Sequence, residues 1–222
     1  MREKYFTKKS IIKQSSAFIE SIGLSSDSSC YQFKSGKAAL IVLDMQEFFL
    51  NPQSHAFIPS AVAILPGVQR IIKVFNDTRR PVIFTRHLNT EHDAGMMKVW
   101  WHDLISSSSQ LSAIIPKLNY RASQVINKSQ YDAFYNTSLA DILRGEKVSQ
   151  LVITGVMTHL CCESAARSAF VRGFRVFFPV DGTATYNKAF HEATLRNLSH
   201  GFAYIVTINE ILEEMSADGG SC

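Results

Sequence analysis

Two kinds of hydrophobic pattern alternate along this chain from residue 38 onward. Short, nearly continuous apolar runs occur at AALIVLD (38–44), PVIFTRH (81–87), SQVINK (123–128), SQLVITGV (149–156), FRVFFPVD (174–181) and FAYIVTI (202–208). Such runs, bounded by turn residues, predict strands buried on both faces. Between them lie segments of helical period. Val62, Leu65, Val68, Ile71, Ile72 and Phe75 predict a helix over 61–79, with Arg79 and Arg80 at its carboxyl end and Pro81 stopping it. SLADILRG (138–145) predicts a short helix closed by Gly145. In MTHLCCESAARSAFVRG a helix ends at Gly173 and carries Ala165, Ala166, Ala169 and Phe170 as its apolar stripe, and HEATLRNLSHG predicts another, stopped by Gly201. Strand and helix in strict alternation predict an α/β fold: three α/β/α layers around a mostly parallel, six-stranded, Rossmann-like doubly wound sheet.

The remaining segments read as loops. MQEFFLNPQSHAFIPS holds two prolines and several turn formers, which suits an irregular stretch folding over a pocket, and NTEHDAGMMKVWWHDLISSSSQ reads as a long polar loop. Before residue 37, SIIKQSSAFIESIG predicts an amphipathic helix with Ile11, Ile12, Phe18, Ile19 and Ile22 available for burial. The expected organisation is a helical extension over 1–36 packed on the main domain, the main domain itself over 37–215 and a flexible tail over 216–222.

Composition narrows the picture. A chain of 222 residues, 46% hydrophobic and 19% charged, is sized for one domain that buries its own core without metal or disulfide staples. The net charge of +4 is scattered, with only a mild cluster at Arg2, Lys4, Lys8, Lys9 and Lys13, so a nucleic-acid partner is not expected. The cysteines at 30, 161, 162 and 222 form no spaced framework, which predicts free thiols in a reducing compartment. No apolar run reaches membrane-spanning length, so the expected partner is a small molecule rather than a membrane and the expected location cytoplasmic.

Three polar residues stand where buried strands end: Asp44, Lys128 and, just past a strand at a helix start, Cys161. In doubly wound sheets those ends line the ligand crevice. A cysteine in the first turn of a helix meets unpaired backbone donors and the positive dipole end, which favour thiolate. A nearby lysine would add to that effect, and an aspartate could carry the thiol proton to a leaving group. Spacing alone does not make the three strands neighbours, and each residue also has an ordinary structural use: a small buried hydrophobe, a turn cap, a solvated cation.

ALIVLDMQEFF resembles the opening strand of the isochorismatase-like cysteine hydrolases, a superfamily with isochorismatase, nicotinamidase and N-carbamoylsarcosine amidase branches. NKSQYDAFYNTSL is similar to its lysine motif, TGVMTHLCCESAARSAFVRGFRVFFPVDGTATY to its nucleophile motif, and HEATLRNLSHGFAYIVT to its closing helix and strand. The resemblance implies Asp44 as proton-transferring acid and base, Lys128 as activating cation and Cys161 as nucleophile, with Cys162 a neighbour. It also implies a cis peptide between Val156 and Met157 and an oxyanion hole from the N–H groups of Met157 and Cys161. The implied reaction is cleavage of a small amide through a Cys161 thioester, without cofactor. Vinyl-ether hydrolysis and non-catalytic ligand binding on the same fold stand as alternatives. Homodimers or homotetramers are implied as well.

Nicotinamidases of this superfamily hold a divalent metal after their second strand. Here His87 and His92 are present, but Thr85 stands where the metal-binding aspartate belongs, so no metal is expected and nicotinamidase activity is given less weight. Pocket residues are sought among loop aromatics and their neighbours: Phe48, Phe49 and Phe57, Arg86 and His87, Trp100 and Trp101, Tyr131 and Phe134, and His159 beside the nucleophile.

Overall fold

The computed structural model describes residues 2–23, 33–120 and 123–218. Its centre is a parallel sheet of seven strands: β1 (Ala38–Leu43), β2 (Val82–His87), β3 (Gln124–Lys128), β4 (Gln150–Val156), β5 (Arg175–Pro179), β6 (Thr183–Ala184) and β7 (Tyr204–Val206). The spatial order is β3-β2-β1-β4-β5-β7, with β6 paired to β4, and every strand pair runs parallel. All residues of β1 and β4 are buried, as expected of central strands covered by helices on both faces.

The helices are α1 (Ile11–Ile22), α2 (Glu47–Leu50), α3 (Ala61–Asp77), α4 (Met96–Trp101), α5 (Leu139–Gly145), α6 (Glu163–Val171), α7 (Lys188–Gly201) and α8 (Ile208–Asp218). α3 buries Ala61, Ala63, Ile64, Val68, Ile71, Ile72 and Phe75 and packs on β1, β2, β4 and α8. α6 packs on β5 and α7, and α7 packs in turn on α1. None of the described helices is long and apolar enough to cross a membrane.

The strand order reverses direction at β1 and β4, and register fixes what meets there. Leu43 pairs with Gly155, and on the other side of β1, His87 at the end of β2 pairs with Lys128 at the end of β3. Gly155 cannot be exchanged: its φ is 111°, and a Cβ there would lie 2.1 Å from the Leu43 carbonyl oxygen. The two backbones therefore close tightly just before Asp44 and Met157 leave the sheet.

The six expected strands are those of the main path, and β6, two residues and too short to show a period, adds a seventh beside β4. Other expectations need correction. The stretches read as loops contain α2 and α4, and Met45, Phe49, Leu50, Ala56 and Ile58 after β1 are buried. Residues 216–218, placed in the tail, belong to α8, whose Ile208, Ile211 and Met215 are buried at helical spacing; residues 219–222 lie outside the described residues. Phe170 is 49% exposed and leans on Phe202, so α6 faces the core through Ala165, Ala166 and Ala169 alone. Cys161 and Cys162 are free thiols, while Cys30 and Cys222 fall outside the described residues.

The segment preceding α1 is docked. Tyr5 and Phe6 are buried, and Phe18 of α1 closes on both rings and on the His191 imidazole.

Candidate active site

The sheet order β3-β2-β1-β4 lines up four strand ends, and each contributes one polar group: Lys128, His87, Asp44 and, one turn past β4, Cys161. All four are buried. Lys128 is the hub. Its Nζ lies 2.8 Å from Asp44 Oδ2, 3.3 Å from Cys161 Sγ and 3.3 Å from His87 Nδ1, and it donates to the Gln130 carbonyl at 2.9 Å. Polar atoms of Asp44, His87 and Cys161 all fall within 4.8 Å of one another.

A buried ammonium and a buried carboxylate each carry a desolvation cost that only a close partner offsets. Burial, the largest single influence, would raise the Asp44 carboxyl, but the Lys128 ammonium together with His87 and the hydrogen bond from Cys161 hold the group below the usual aspartate value. Burial would likewise lower Lys128, but the Asp44 carboxylate holds it above the usual lysine value. The pair is thus charged at neutral pH. Cys161 differs from its expected thiolate state: burial first, then the Asp44 charge, push its thiol up to about 12 against the pull of Lys128. The expected dipole stabilisation is also reduced, because Cys161 sits in a π-type turn, Thr158–Cys162, ahead of α6 rather than in the first turn of an α-helix. In the resting site the sulfur carries its proton beside a carboxylate able to take it.

Other residues hold this cluster in place. The Thr85 hydroxyl donates to Asp44 Oδ1 at 2.6 Å, and the Asp44 N–H donates back to Thr85 Oγ1 at 3.2 Å, which braces Asp44 at its left-handed φ of 51°. Gln46 clamps the loop after β1 to the end of β2: its Oε1 accepts from the His87 N–H at 2.7 Å, and its Nε2 donates to the His87 and Ser112 carbonyls. His87 faces Lys128 through Nδ1, so Nε2 carries the hydrogen and donates to Asn89 Oδ1 at 2.8 Å. Burial, then Lys128, pull His87 down to about 4, leaving it a neutral acceptor. The role of Thr85 was hidden inside an apolar run, where a threonine reads simply as a β-former.

Asp44, His87 and Cys161 have the chemistry of a metal-ligand set. They do not fit one as arranged, because the Lys128 ammonium already bonds all three and would have to be displaced. His92 is exposed and stands apart from them.

A cavity of about 200 Å³ opens on Cys161. Of the residues expected to contact substrate, Phe48, Phe49, His87, Trp101 and Tyr131 line it, together with Asn89, Met157 and Leu160. Trp101 Nε1 donates to the Tyr131 hydroxyl at 2.6 Å, joining the α4 wall to the loop after β3. The structure puts three others elsewhere. Arg86 donates to Asn127 on the edge strand, Phe134 packs between Phe174 and the Arg172 guanidinium, and His159 bonds Thr185 Oγ1 at 2.6 Å with its ring stacked on Phe190. Trp100 is 71% exposed. The Val156–Met157 peptide is cis, and Met157 and Cys161 both border the cavity.

Behind the turn that carries Cys161 lies a second buried network. His191 Nδ1 is 3.1 Å from both the Tyr5 and Thr158 hydroxyls, and Thr158 also donates to Thr183 at 3.1 Å. Burial holds His191 down to about 3.

Known proteins resemble this chain throughout the sheet and site. A family model described as Isochorismatase domain matches residues 38–210. Nicotinamidase 3 of Arabidopsis thaliana is 40% identical over 78% of this chain and 86% of its own length. The isochorismatase of Bacillus subtilis strain 168 is 26% identical over 81% of this chain, which spans 58% of that longer protein. Among solved structures, a cysteine hydrolase from Pseudomonas syringae pv. phaseolicola superposes with a TM-score of 0.81 at 22% identity, covering 84% of this chain and 96% of the other.

Proposed function

The chain belongs to the isochorismatase family of hydrolases, and from that premise we propose that it cleaves the C–N bond of a small amide through a thioester on Cys161. The observation that carries this is the contact of one lysine ammonium with both the sulfur and the carboxylate, at 3.3 and 2.8 Å, beneath a small apolar cavity.

Each step has a group in reach. As Sγ attacks the amide carbon, Asp44 takes the thiol proton, so no free thiolate need persist in a site where burial disfavours it. Lys128 counters the negative charge that develops on sulfur as its proton moves to Asp44. The N–H groups of Met157 and Cys161 receive the oxyanion. Collapse breaks the C–N bond, and Asp44 returns its proton to the departing nitrogen. Water then attacks the thioester, Asp44 accepts its proton and passes it to the released sulfur, and acid and free thiol are restored. His87 and Tyr131 border the space where the acyl group sits, and Phe49 and Trp101 suit a flat or apolar body.

The nicotinamidase relative supports C–N cleavage and brings aromatic carboxamides such as nicotinamide to the front of the substrate panel. The Bacillus relative supports vinyl-ether hydrolysis as a second reading. Ammonia release from nicotinamide, benzamide and aliphatic amides tests the first; direct assay on isochorismate tests the second. Cys161→Ala is expected to lower amide turnover by at least about 10³-fold. Turnover of isochorismate, undiminished in Cys161→Ala and without any amidase activity, would replace the first reading with the second.

A further inference from the structure

One wall of the cavity comes from the far end of the sequence. Residues 2–7 run as an arm across the loop between β6 and α7. The Glu3 N–H donates to the Tyr186 carbonyl at 2.6 Å, and the Glu3 carboxylate accepts from the Lys188 N–H at 3.0 Å. Tyr5 is buried and its hydroxyl accepts from the Thr185 N–H at 3.0 Å, while the Phe6 N–H donates to Ser60 Oγ at 3.1 Å. An arm tied at four points holds whatever precedes them. What it holds is Arg2, whose guanidinium carbon lies 4.9 Å from the centre of the Tyr186 ring, and both Arg2 and Tyr186 line the cavity that opens on Cys161.

The charges around this cavity are few. Asp103 lines it too, but its carboxylate is engaged by His55 Nε2 at 3.1 Å. Lys128 is consumed below by Asp44, His87 and Cys161. Arg2 has no carboxylate partner among the described residues. The guanidinium rests over the Tyr186 ring, and a guanidinium held against an aromatic ring can still offer paired N–H donors to a carboxylate. The other lining residues are largely apolar or aromatic, so an anionic group on a ligand finds one obvious counter-charge.

We infer that Arg2 is a specificity-determining residue that selects amides bearing a carboxylate away from the scissile carbonyl. This rests on the amidohydrolase reading of the same cavity and names its substrate class.

The test measures binding, so that it does not depend on turnover. Affinities of 3-carbamoylbenzoate, 4-carbamoylbenzoate and succinamate, each against its methyl ester, are taken by calorimetry on Cys161→Ala and on Cys161→Ala carrying Arg2→Gln or Arg2→Lys. At least one acid is expected to bind roughly tenfold tighter than its ester, a ratio that falls to about one with Arg2→Gln, is partly kept with Arg2→Lys, and shrinks as salt rises. No preference for any acid, or a preference that survives Arg2→Gln, overturns the inference. Ammonia release by the unsubstituted protein is followed on the same compounds. Failure there, with the binding ratio intact, removes the hydrolytic reading and leaves the carboxylate site standing.

Discussion

The floor and the rim of the cavity are built on opposite principles. On the floor, Asp44 and Lys128 have fully buried side chains that contact each other, are held by strand ends, and are surrounded by partners in direct hydrogen-bonding range. At the rim stands the short helix α4, whose Met97 and Trp101 line the cavity and whose Met96, Val99 and Trp100 are 68%, 59% and 71% exposed outside that lining, and Arg2 reaches the pocket from an arm. The floor cannot lose one group without stranding another; the rim can. In a family whose members share a sheet, that division lets the chemistry stay fixed while the substrate contacts vary.

If the floor is one coupled unit, breaking it should cost both fold and function. Lys128→Met leaves a buried carboxylate without its counter-charge and is expected to destabilise the protein by about 3–5 kcal/mol in urea unfolding, with turnover lost. A smaller loss would mean that water or another cation reaches Asp44.

Acid should act on the same interior next. His87, held down to about 4, and His191, held down to about 3, are neutral in the fold, whereas in the unfolded chain each takes a proton below its ordinary value of 6.5. The unfolded state therefore binds more protons below pH 6.5, so the stability these groups confer is complete above that pH and is lost as pH falls toward 4 and then 3. Asp44, held below its ordinary 3.8, adds stability above that value and gives it up only in stronger acid. Thermal melts from pH 7 to 4 should show a falling Tm; a flat profile would contradict neutral imidazoles in the fold.

Thr85→Val removes one brace on Asp44 and should cost about 1–2 kcal/mol in stability, with a drop in kcat larger than any change in KM. Trp100→Ala is expected at the bottom of the series, within about 0.5 kcal/mol of the unsubstituted protein. A rim substitution that destabilised as much as a floor substitution would erase the distinction.

The same division governs how much could be read without coordinates. The placement of Asp44, Lys128 and Cys161 at or just past strand ends was legible, because runs that stop at a polar residue mark the edge of a doubly wound sheet where ligands bind. The expectation of full burial failed for β3, an edge strand with Gln124, Val125 and Asn127 exposed. The mutual contact of Asp44, Lys128 and Cys161 was not legible, since it depends on the order β3-β2-β1-β4, which periodicity does not contain. Thr85 was read only as a missing metal ligand, and Gln46 was overlooked, for a related reason: a threonine in PVIFTRH and a glutamine after AALIVLDM show no bracing role until neighbouring strands supply partners. Around the rim, aromatic composition pointed to the right loops but not to side-chain direction, so Phe49, Trp101 and Tyr131 border the cavity while Phe134 turns into the core. Arg2 lay beyond reach altogether, because only folding brings it to Tyr186.

The covalent step is open to one direct observation. Rapid acid quench during hydrolysis of an accepted amide, followed by mass analysis of the digested protein, should find one acyl group replacing the thiol hydrogen on the peptide that bears Cys161, and none in Cys161→Ala. Full-rate hydrolysis with that peptide unmodified at every time point, and with Cys161→Ala still active, would contradict it.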